Sequence, residues 1–347
     1  MSTSNPWGES TEFFYKLTPD VIDDVVRSFG LRPLGRVVQL NSLENRVYEV
    51  EVSKYTNEFE GPQNLNAIVI KFYRPGRWSE ATIKEEHRFL FEMQEYEIPL
   101  ITPLSREGES VFTHETSGLI YTVFPKVMGR LKDELNKDEA IQIGRLIARL
   151  HNIGKLSNFQ SRVRFNTSDW LLSGLSEIEA KDFISQDIKK SYSYLVNLIH
   201  QSITPYIERL PVQRIHGDFH RGNILWGERG AWITDLDDCV MGPREQDLWL
   251  LFPGQDDWSR DLQKHFLDGY HEMSREPIHV SHFITEALRS MRMIHFNGWI
   301  AKRWEDPIFP HMFTLFATQN YWEQQVIDLK QQVALLQDHL HSGMGIE

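Results

Sequence analysis

The stretch from Ile215 to Asp238 constrains the fold and chemistry of this chain more than any other part of its sequence. It reads IHGDFHRGNILWGERGAWITDLDD and concentrates six polar residues of the kinds that work at enzyme sites. They are His216, Asp218, His220, Asn223, Asp235 and Asp237. The apolar run Ala231–Ile233 predicts a short strand, and Gly227–Gly230 predicts the hairpin turn that leads into it. We therefore expect a β-hairpin with polar side chains at both of its ends.

Asp218 and Asn223 are spaced as the aspartate and asparagine of the kinase catalytic loop. There the aspartate accepts the proton of an attacking hydroxyl, and the asparagine holds a magnesium ion. Asp235 follows the predicted strand, as the metal-binding aspartate of a kinase does. Each motif alone is more often an ordinary turn or a solvated acidic loop than a catalytic site. Together, in this order, they predict phosphoryl transfer from ATP, with Asp218 and Asp235 as catalytic residues and Asn223 and Asp235 as ligands of Mg²⁺.

Composition excludes several other classes of protein. The 347 residues carry 49 acidic and 37 basic side chains, a net charge of −12, which argues against nucleic acid or an anionic membrane as a partner. The single cysteine, Cys239, excludes an intrachain disulfide and a cysteine-built zinc site, and we expect it to be buried and inert rather than a redox-sensitive thiol. Met1–Glu12 has no apolar core, and no apolar run reaches eighteen residues, so neither a signal peptide nor a membrane span is expected.

A lysine and a glutamate in the N-terminal part of the chain are predicted to belong to a nucleotide site. Lys71 ends the run AIVIK, close to the V-A-I-K pattern of nucleotide-binding lysines. In the following predicted helix, Ser79–Met93, Glu86 lies on the apolar stripe and Glu85 points about 100° away. Because a buried carboxylate needs a partner, we predict an ion pair between Glu86 and Lys71 that orients the lysine toward the phosphates.

The elements around Lys71 predict an antiparallel sheet. A helix over Leu17–Gly30 precedes three strand candidates, which are Val37–Leu40, Arg46–Val52 and Ala67–Phe72. The loop Asn41–Asn45 joins the first two and lacks glycine, so it is either an ordinary hairpin turn or a phosphate contact made through backbone amides and Ser42. Ser53–Asn66 is polar and is expected to be a mobile insertion.

A second hairpin, Ser110–Phe112 with Leu119–Phe124, is followed by a segment that begins with Pro125 and ends with Gly129. An apolar strand interrupted by proline and glycine is typical of a hinge between two lobes. Backbone groups near Phe124 and Val127 would then bind the adenine edge, although a plain loop explains the same residues.

The rest of the chain predicts helices. These are Asp138–Ile153, Ser191–Thr204, Glu245–Phe252, Ile284–Trp304 and Tyr321–His341. His151 is expected to be a satisfied core histidine rather than a metal ligand. Asp247 opens its helix, either as a brace for the catalytic loop or as a first-turn acid favoured by the helix dipole.

The acceptor side is the least constrained part of the sequence. Asp235 and Asp247 are twelve residues apart, too close for a eukaryotic activation segment, so the C-terminal helices are expected to build the acceptor site. These C-terminal helices include Ile284–Trp304 and Tyr321–His341. The helix Ile284–Trp304 carries Arg289, Arg292, His295, Trp299 and Trp304. We expect Asp237 and Asp238, near this side, to suit a cationic acceptor.

The motif HGDFHRGN with ITDLDD resembles the aminoglycoside/choline kinase superfamily. The segments NSLENRVYEV, VIKFYRPGRWS, EEH, VFPKVMGR, TDLDD, GPREQDLW and KRWEDPIFP extend the resemblance to the bacterial stress response kinase A family, over roughly Pro19 to Leu336. The resemblance implies a monomeric, cytoplasmic, Mg-ATP-dependent serine/threonine protein kinase linked to stress survival. It also implies that Ser42 contacts ATP, and that Lys71 and Glu86 orient the nucleotide.

The expected fold is therefore α+β and protein-kinase-like, with two lobes. A small antiparallel-sheet N-lobe would cover residues 1–125, and a larger helical C-lobe residues 126–347. The expected partners are ATP and a protein hydroxyl from serine or threonine. A small-molecule hydroxyl kinase remains an alternative, and a nucleotide-binding pseudokinase is disfavoured because every expected catalytic group is present.

Overall fold

The computed structural model describes residue 14 and residues 16–54 and 65–342. Met1–Glu12, expected to lack a signal peptide, and most of the loop expected over Ser53–Asn66 lie outside the described residues. By its internal contacts the chain forms two compact units. Among the described residues, the first comprises those up to residue 136 together with 159–162 and 220–238, and the second comprises 137–158, 163–219 and 239–342. The lobe boundary expected after residue 125 stays a prediction.

The first unit is built on a five-stranded antiparallel sheet, as predicted. Its strands are β1 (Leu31–Leu40), β2 (Arg46–Lys54), β3 (Ala67–Phe72), β4 (Phe112–Thr113) and β5 (Ile120–Pro125), in the order β1-β2-β3-β5-β4. Strand β1 begins six residues earlier than expected, because Leu31 already pairs with Lys54. Alternating buried residues such as Ile68, Ile70 and Val123 form the core side of the sheet.

Two helices accompany this sheet. Helix α1 (Pro19–Ser28) begins with proline at its first position and is followed by Gly30 at φ +67°, the left-handed conformation that glycine adopts without strain. Helix α2 (Glu80–Glu95) begins after Ser79, whose hydroxyl accepts the N–H of Thr82. A short hairpin, β7 (Ile224–Gly227) and β8 (Gly230–Ile233), completes the unit, with Gly227 opposite Gly230 as predicted.

The second unit is mostly helical. Its helices are α3 (Lys137–Gly154), α4 (Thr167–Glu179), α5 (Gln186–Ile207), α6 (Glu245–Trp249), α7 (Asp257–Met273), α8 (His282–Lys302), α9 (Ile308–Met312) and α10 (Gln319–Ser342). Strands β6 (Val212–Ile215) and β9 (Val240–Pro243) pair antiparallel within it. The predicted α+β class and the larger share of helix in the C-terminal part are confirmed. Among the helices of the described residues, none combines the length and apolar character that crossing a bilayer requires.

Candidate active site

Lys71 lies near the end of β3 with its ammonium buried between two carboxylates of the first unit. Its Nζ is 2.9 Å from Oδ1 of Asp237 and 3.4 Å from Oδ1 of Asp235. Burial by itself lowers the pKa of the ammonium, but the charges of Asp237 and Asp235 outweigh burial and hold the pKa well above its usual value. Lys71 therefore stays a cation across the ordinary pH range.

The predicted ion pair between Lys71 and Glu86 is wrong: within the described residues, no such pair forms. Glu86 is buried as predicted, yet its Oε2 accepts a hydrogen bond from Nη2 of Arg162 at 2.7 Å. Burial raises the pKa of the Glu86 carboxyl to about 7, against the attraction of Lys71 and Arg162. The sequence signalled nothing about Arg162, because its segment lies 76 residues beyond Glu86.

Glu85 is buried too, contrary to the expectation that it points away. Its carboxylate accepts the backbone N–H groups of Gln160, Ser161 and Arg162 at 2.7, 2.8 and 3.1 Å. The periodicity of α2 missed this, because residues 159–162 belong to the first unit and bury a second face of the helix. Neighbouring carboxylates of one helix thus hold the backbone and the side chain of the same arginine.

The β7–β8 hairpin brings Asn223 and Asp235 to the same end of the first unit. Ile224 pairs with Ile233, and the next residue, Thr234, donates its N–H to the carbonyl of Asn223 at 3.0 Å. This register explains why an asparagine and an aspartate twelve residues apart become neighbours. Asp235 has φ +55°, a left-handed conformation that is uncommon outside glycine and that is found at functional sites.

The donor set at this end fits a hard divalent cation. Asn223 offers an amide oxygen and Asp235 a carboxylate whose side chain is 57% exposed. Magnesium prefers oxygen ligands and often takes only one or two from the protein, the others coming from phosphates and water. The assignment of Asn223 and Asp235 as its ligands remains a prediction that these residue types support.

Asp237 and Asp238 were expected to suit a cationic acceptor, but both already pair with cations of this chain, although the Asp238 side chain is 48% exposed. The guanidinium of Arg77 forms ion pairs with both carboxylates, at 2.6 Å for Asp238, and Asp237 also binds Lys71. Burial would raise the pKa of Asp237, but Arg77 and Lys71 hold it far below its usual range. Both carboxylates are therefore compensated within the first unit.

The loop 41–45 is held by side chains where a glycine-rich loop would rely on its backbone. Arg74, almost fully buried, donates hydrogen bonds to the carbonyls of Leu43 and Glu44, both at 3.0 Å. The hydroxyl of Ser42 accepts the N–H of Asn45 at 3.2 Å. Contact between Ser42 and ATP remains a prediction, now on a loop with a defined conformation.

Phe124 and Val127 flank the end of β5. Phe124 pairs with Val69 on β3 and meets the ring of His87 edge-on, with 6.4 Å between ring centroids. The N–H of Lys126 still bonds to the carbonyl of Ala67 at 3.1 Å. Val127 therefore follows directly after the last sheet hydrogen bond, and the adenine contact of these residues stays a prediction.

Asp218 lies in the second unit, after β6, and its carboxylate faces an arginine. Nη2 of Arg292, on α8, is 2.9 Å from Oδ1 of Asp218. The preceding residue, Gly217, has φ +86°, a backbone conformation that residues with a side chain rarely adopt. The sequence placed Arg292 on the expected acceptor helix but could not assign it a partner.

The structure confirms that Asp247 braces the backbone of the loop that leads to Asp218. Its fully buried carboxylate accepts the N–H groups of His216 and Gly217, each at 2.8 Å. His151 lies 3.0 Å from the same carboxylate and 2.9 Å from the hydroxyl of Tyr270, so it is the satisfied core histidine that was predicted. Burial lowers the pKa of His151 against the opposing effect of Asp247. A buried network therefore fixes the backbone just before Asp218.

Comparisons with known proteins agree with this arrangement. The model of the phosphotransferase enzyme family matches residues 36–289, well over half of the chain. Stress response kinase A of Escherichia coli (strain K12) is 32% identical over 327 residues, which cover 94% of this chain and 95% of that protein. The serine/threonine protein kinase RdoA of Salmonella typhimurium (strain LT2) matches with the same identity and coverage.

Solved structures show the same fold at lower identity. The amicoumacin kinase hAmiN, in complex with AMP-PNP, Ca²⁺ and Ami, has a TM-score of 0.67 at 17% identity, over 88% of this chain and 95% of that one. Spectinomycin phosphotransferase has a TM-score of 0.63 at 16% identity, over 92% and 99%. The kinase-like fold expected from the sequence is confirmed. The chain therefore belongs to the phosphotransferase enzyme family, as a relative of bacterial stress response kinase A.

Proposed function

We propose that this phosphotransferase moves the γ-phosphoryl group of Mg-ATP to a serine or threonine hydroxyl of a protein. The observation that carries the proposal is the end of the β7–β8 hairpin in the first unit. There Asn223 and Asp235 are neighbours, and Asp235 is ion-paired with Lys71. A phosphoryl-transfer enzyme needs these groups together, since it works mainly by positioning and by neutralising charge.

The residues of the first unit bind the nucleotide. Lys71, a permanent cation, neutralises phosphate oxygens, and Ser42 contacts the phosphates from its ordered loop. Phe124 and Val127 offer backbone groups to adenine. Glu86 contributes through Arg162, which it holds beside the backbone of Asp237, the partner of Lys71.

Asn223 and Asp235 would hold magnesium, which when bound neutralises the charge that develops on the phosphate oxygens. Asp235 would hold the metal ion near Lys71, so that both positive charges act on the same phosphates. Its exposed carboxylate can therefore exchange Lys71 for a metal ion without the cost of exposing a buried group.

Asp218 accepts the proton of the attacking hydroxyl. The hydroxyl oxygen forms a bond to the γ-phosphorus, the bond between that phosphorus and the bridging oxygen breaks, and ADP leaves with the electron pair. The proton passes to a carboxylate oxygen of Asp218. Asp247 fixes the backbone that carries Asp218, which limits the positions the proton acceptor can take.

Relatives support a protein acceptor, because one of them is named a serine/threonine protein kinase. A role in the stress response, a cytoplasmic location and a monomeric state belong to the same proposal. The second candidate is a small-molecule hydroxyl kinase. It is favoured by the interval of twelve residues between Asp235 and Asp247, which leaves no room for a long activation segment.

Incubation with magnesium and γ-labelled ATP, with and without a generic protein substrate, tests the proposal. We expect label on protein with the wild-type chain and none with Asp218→Asn, which should still bind ATP. Normal turnover by Asp218→Asn would overturn the role of Asp218. ATP use that rises only with small alcohols would favour the second candidate, and binding without consumption would favour a pseudokinase.

A further inference from the structure

Helix α8 carries cationic and aromatic residues that the proposed mechanism leaves unused. Most of them are engaged in holding the second unit together. Arg289 pairs with Glu286 at 3.0 Å and donates to the carbonyl of Pro253 at 2.7 Å. His295 stacks on Trp170, with 4.3 Å between ring centroids. Arg292 differs from these because its guanidinium meets Asp218, the proton acceptor.

The pair of Arg292 and Asp218 lies near the surface of the second unit. Their side chains are 28% and 19% exposed, so a ligand can reach both, although the Oδ1 atom of Asp218 is itself buried. A hydroxyl that approaches Asp218 must share this carboxylate with the guanidinium or displace it. A displaced guanidinium presents a planar fork of donors, which matches a carboxylate or phosphate.

The charge at Asp218 decides which acceptors this arrangement suits. A cationic acceptor would need an uncompensated carboxylate, but a guanidinium at 2.9 Å balances the charge of Asp218. An acceptor with its own anionic group gives Arg292 a new partner at the moment when its hydroxyl takes Asp218. The exchange keeps both charged side chains paired throughout binding.

We propose that Arg292 selects the acceptor, favouring serine or threonine hydroxyls that are flanked by acidic residues over those flanked by basic ones. This inference rests on the proposed protein kinase activity and names its substrate class. Arg292 acts here as a specificity-determining residue that binds the acceptor, while Asp218 takes the proton. The same charge disfavours amino-sugar and amino-alcohol acceptors.

Three peptides that share one serine and differ only in flanking Asp, Asn or Lys residues test the inference. With the wild-type chain we expect kcat/KM for the Asp peptide to exceed that for the Lys peptide by at least about tenfold, as for a hydrogen bond to a charged group. Arg292→Gln should remove most of this ratio through KM. Arg292→Glu should invert it, and Arg292→Lys should keep part of it.

Lys302→Gln is the matched control, since it removes the positive charge of an exposed side chain on the same helix, ten residues further along. It should leave the peptide ratio unchanged. Thermal unfolding midpoints and ATP affinity of each variant separate misfolding from lost selectivity. A wild-type chain that phosphorylates all three peptides equally overturns the inference and leaves the proposed function standing. So does an unchanged ratio in Arg292→Gln. If the wild-type chain phosphorylates none of the peptides but labels small hydroxyl compounds, the protein kinase proposal itself fails.

Discussion

Arg162 lets a carboxylate remain buried beside Lys71 without binding it. Glu86 is satisfied by the Arg162 guanidinium, whose other nitrogen donates to the carbonyl of Asp237 at 2.7 Å. An uncompensated buried charge costs several kcal/mol, so neither member of this pair can be lost cheaply. Lys71 therefore pairs with Asp235 and Asp237, which follow the β7–β8 hairpin, and not with a carboxylate of α2.

His87 gives the first unit a measurable dependence on pH. It is buried on α2, with Nδ1 2.7 Å from the hydroxyl of Ser110 and no hydrogen-bond partner for Nε2 among the described residues. Burial, with the nearby charges of Lys71 and Arg162, lowers the pKa of His87 to about 3, while the charge of Asp237 opposes the shift. Folded protein therefore keeps His87 neutral where the unfolded chain, with an ordinary pKa near 6.5, takes up a proton.

The stability that His87 contributes is present above about pH 6.5 and is lost as pH falls toward 3. Between pH 7 and pH 5 the loss is about 2 kcal/mol from this residue alone. Urea unfolding at both pH values, for wild type and His87→Gln, measures it. We expect the variant to lose about 2 kcal/mol less on acidification than wild type does. Equal losses in the two proteins would show that His87 ionises freely in the folded state.

Helix packing in the second unit depends on glycines at two crossings. A Cβ at Gly144 of α3 would lie 2.0 Å from the carbonyl oxygen of Phe266 on α7, and one at Gly269 would lie 2.2 Å from the carbonyl oxygen of Ile141. At the crossing of α4 and α8, a Cβ at Gly298 would lie 2.3 Å from the Cα of Gly174. Backbones approach at these positions more closely than any side chain allows.

Gly144→Ala separates this packing effect from helix propensity. Propensity alone predicts a gain of about 1 kcal/mol, since alanine is the better helix former. The clash with the backbone of Phe266 predicts a net loss of about 1–3 kcal/mol, because that backbone must move. Chemical denaturation measures the sign, and Gln142→Ala, at an exposed position of the same helix, is the control. A stabilised Gly144→Ala protein would contradict the close crossing.

At the scale of the whole molecule, the described residues form two compact units, and each carries different residues of the candidate active site. The first holds Lys71, Asn223 and Asp235, and the second holds Asp218 with its brace Asp247. The two sets of residues are adjacent in the sequence, because Asp218 and Asn223 belong to the same short segment of the chain. Nucleotide binding is therefore expected to stabilise the fold through residues of the first unit.

Ligand-linked unfolding tests this expectation on the intact chain. A ligand present at a hundred times its Kd stabilises a folded protein by about 2.7 kcal/mol. Mg-ATP should raise the Tm of wild type accordingly, and Asp235→Asn should lose most of the increase that depends on magnesium. Asp20→Asn removes one exposed carboxylate from α1 of the same unit and should respond like wild type. An undiminished shift in Asp235→Asn would remove that residue from the metal site.

The sequence by itself determined the order of the elements and the β7–β8 hairpin that places Asn223 beside Asp235. These follow from local signals, namely apolar periodicity, caps such as Ser79, and the turn between Gly227 and Gly230. Such signals act over a few residues, so they can be read from the chain without knowing its tertiary contacts.

Only the tertiary structure decided which charges meet. Glu86 binds Arg162 instead of Lys71, Asp237 is shared by Lys71 and Arg77, and Asp218 faces Arg292. Each of these partners lies 74 to 166 residues away along the chain. The sequence around a carboxylate does not indicate which arginine or lysine will pair with it. The choice depends on which one the packing of distant segments brings within hydrogen-bond distance.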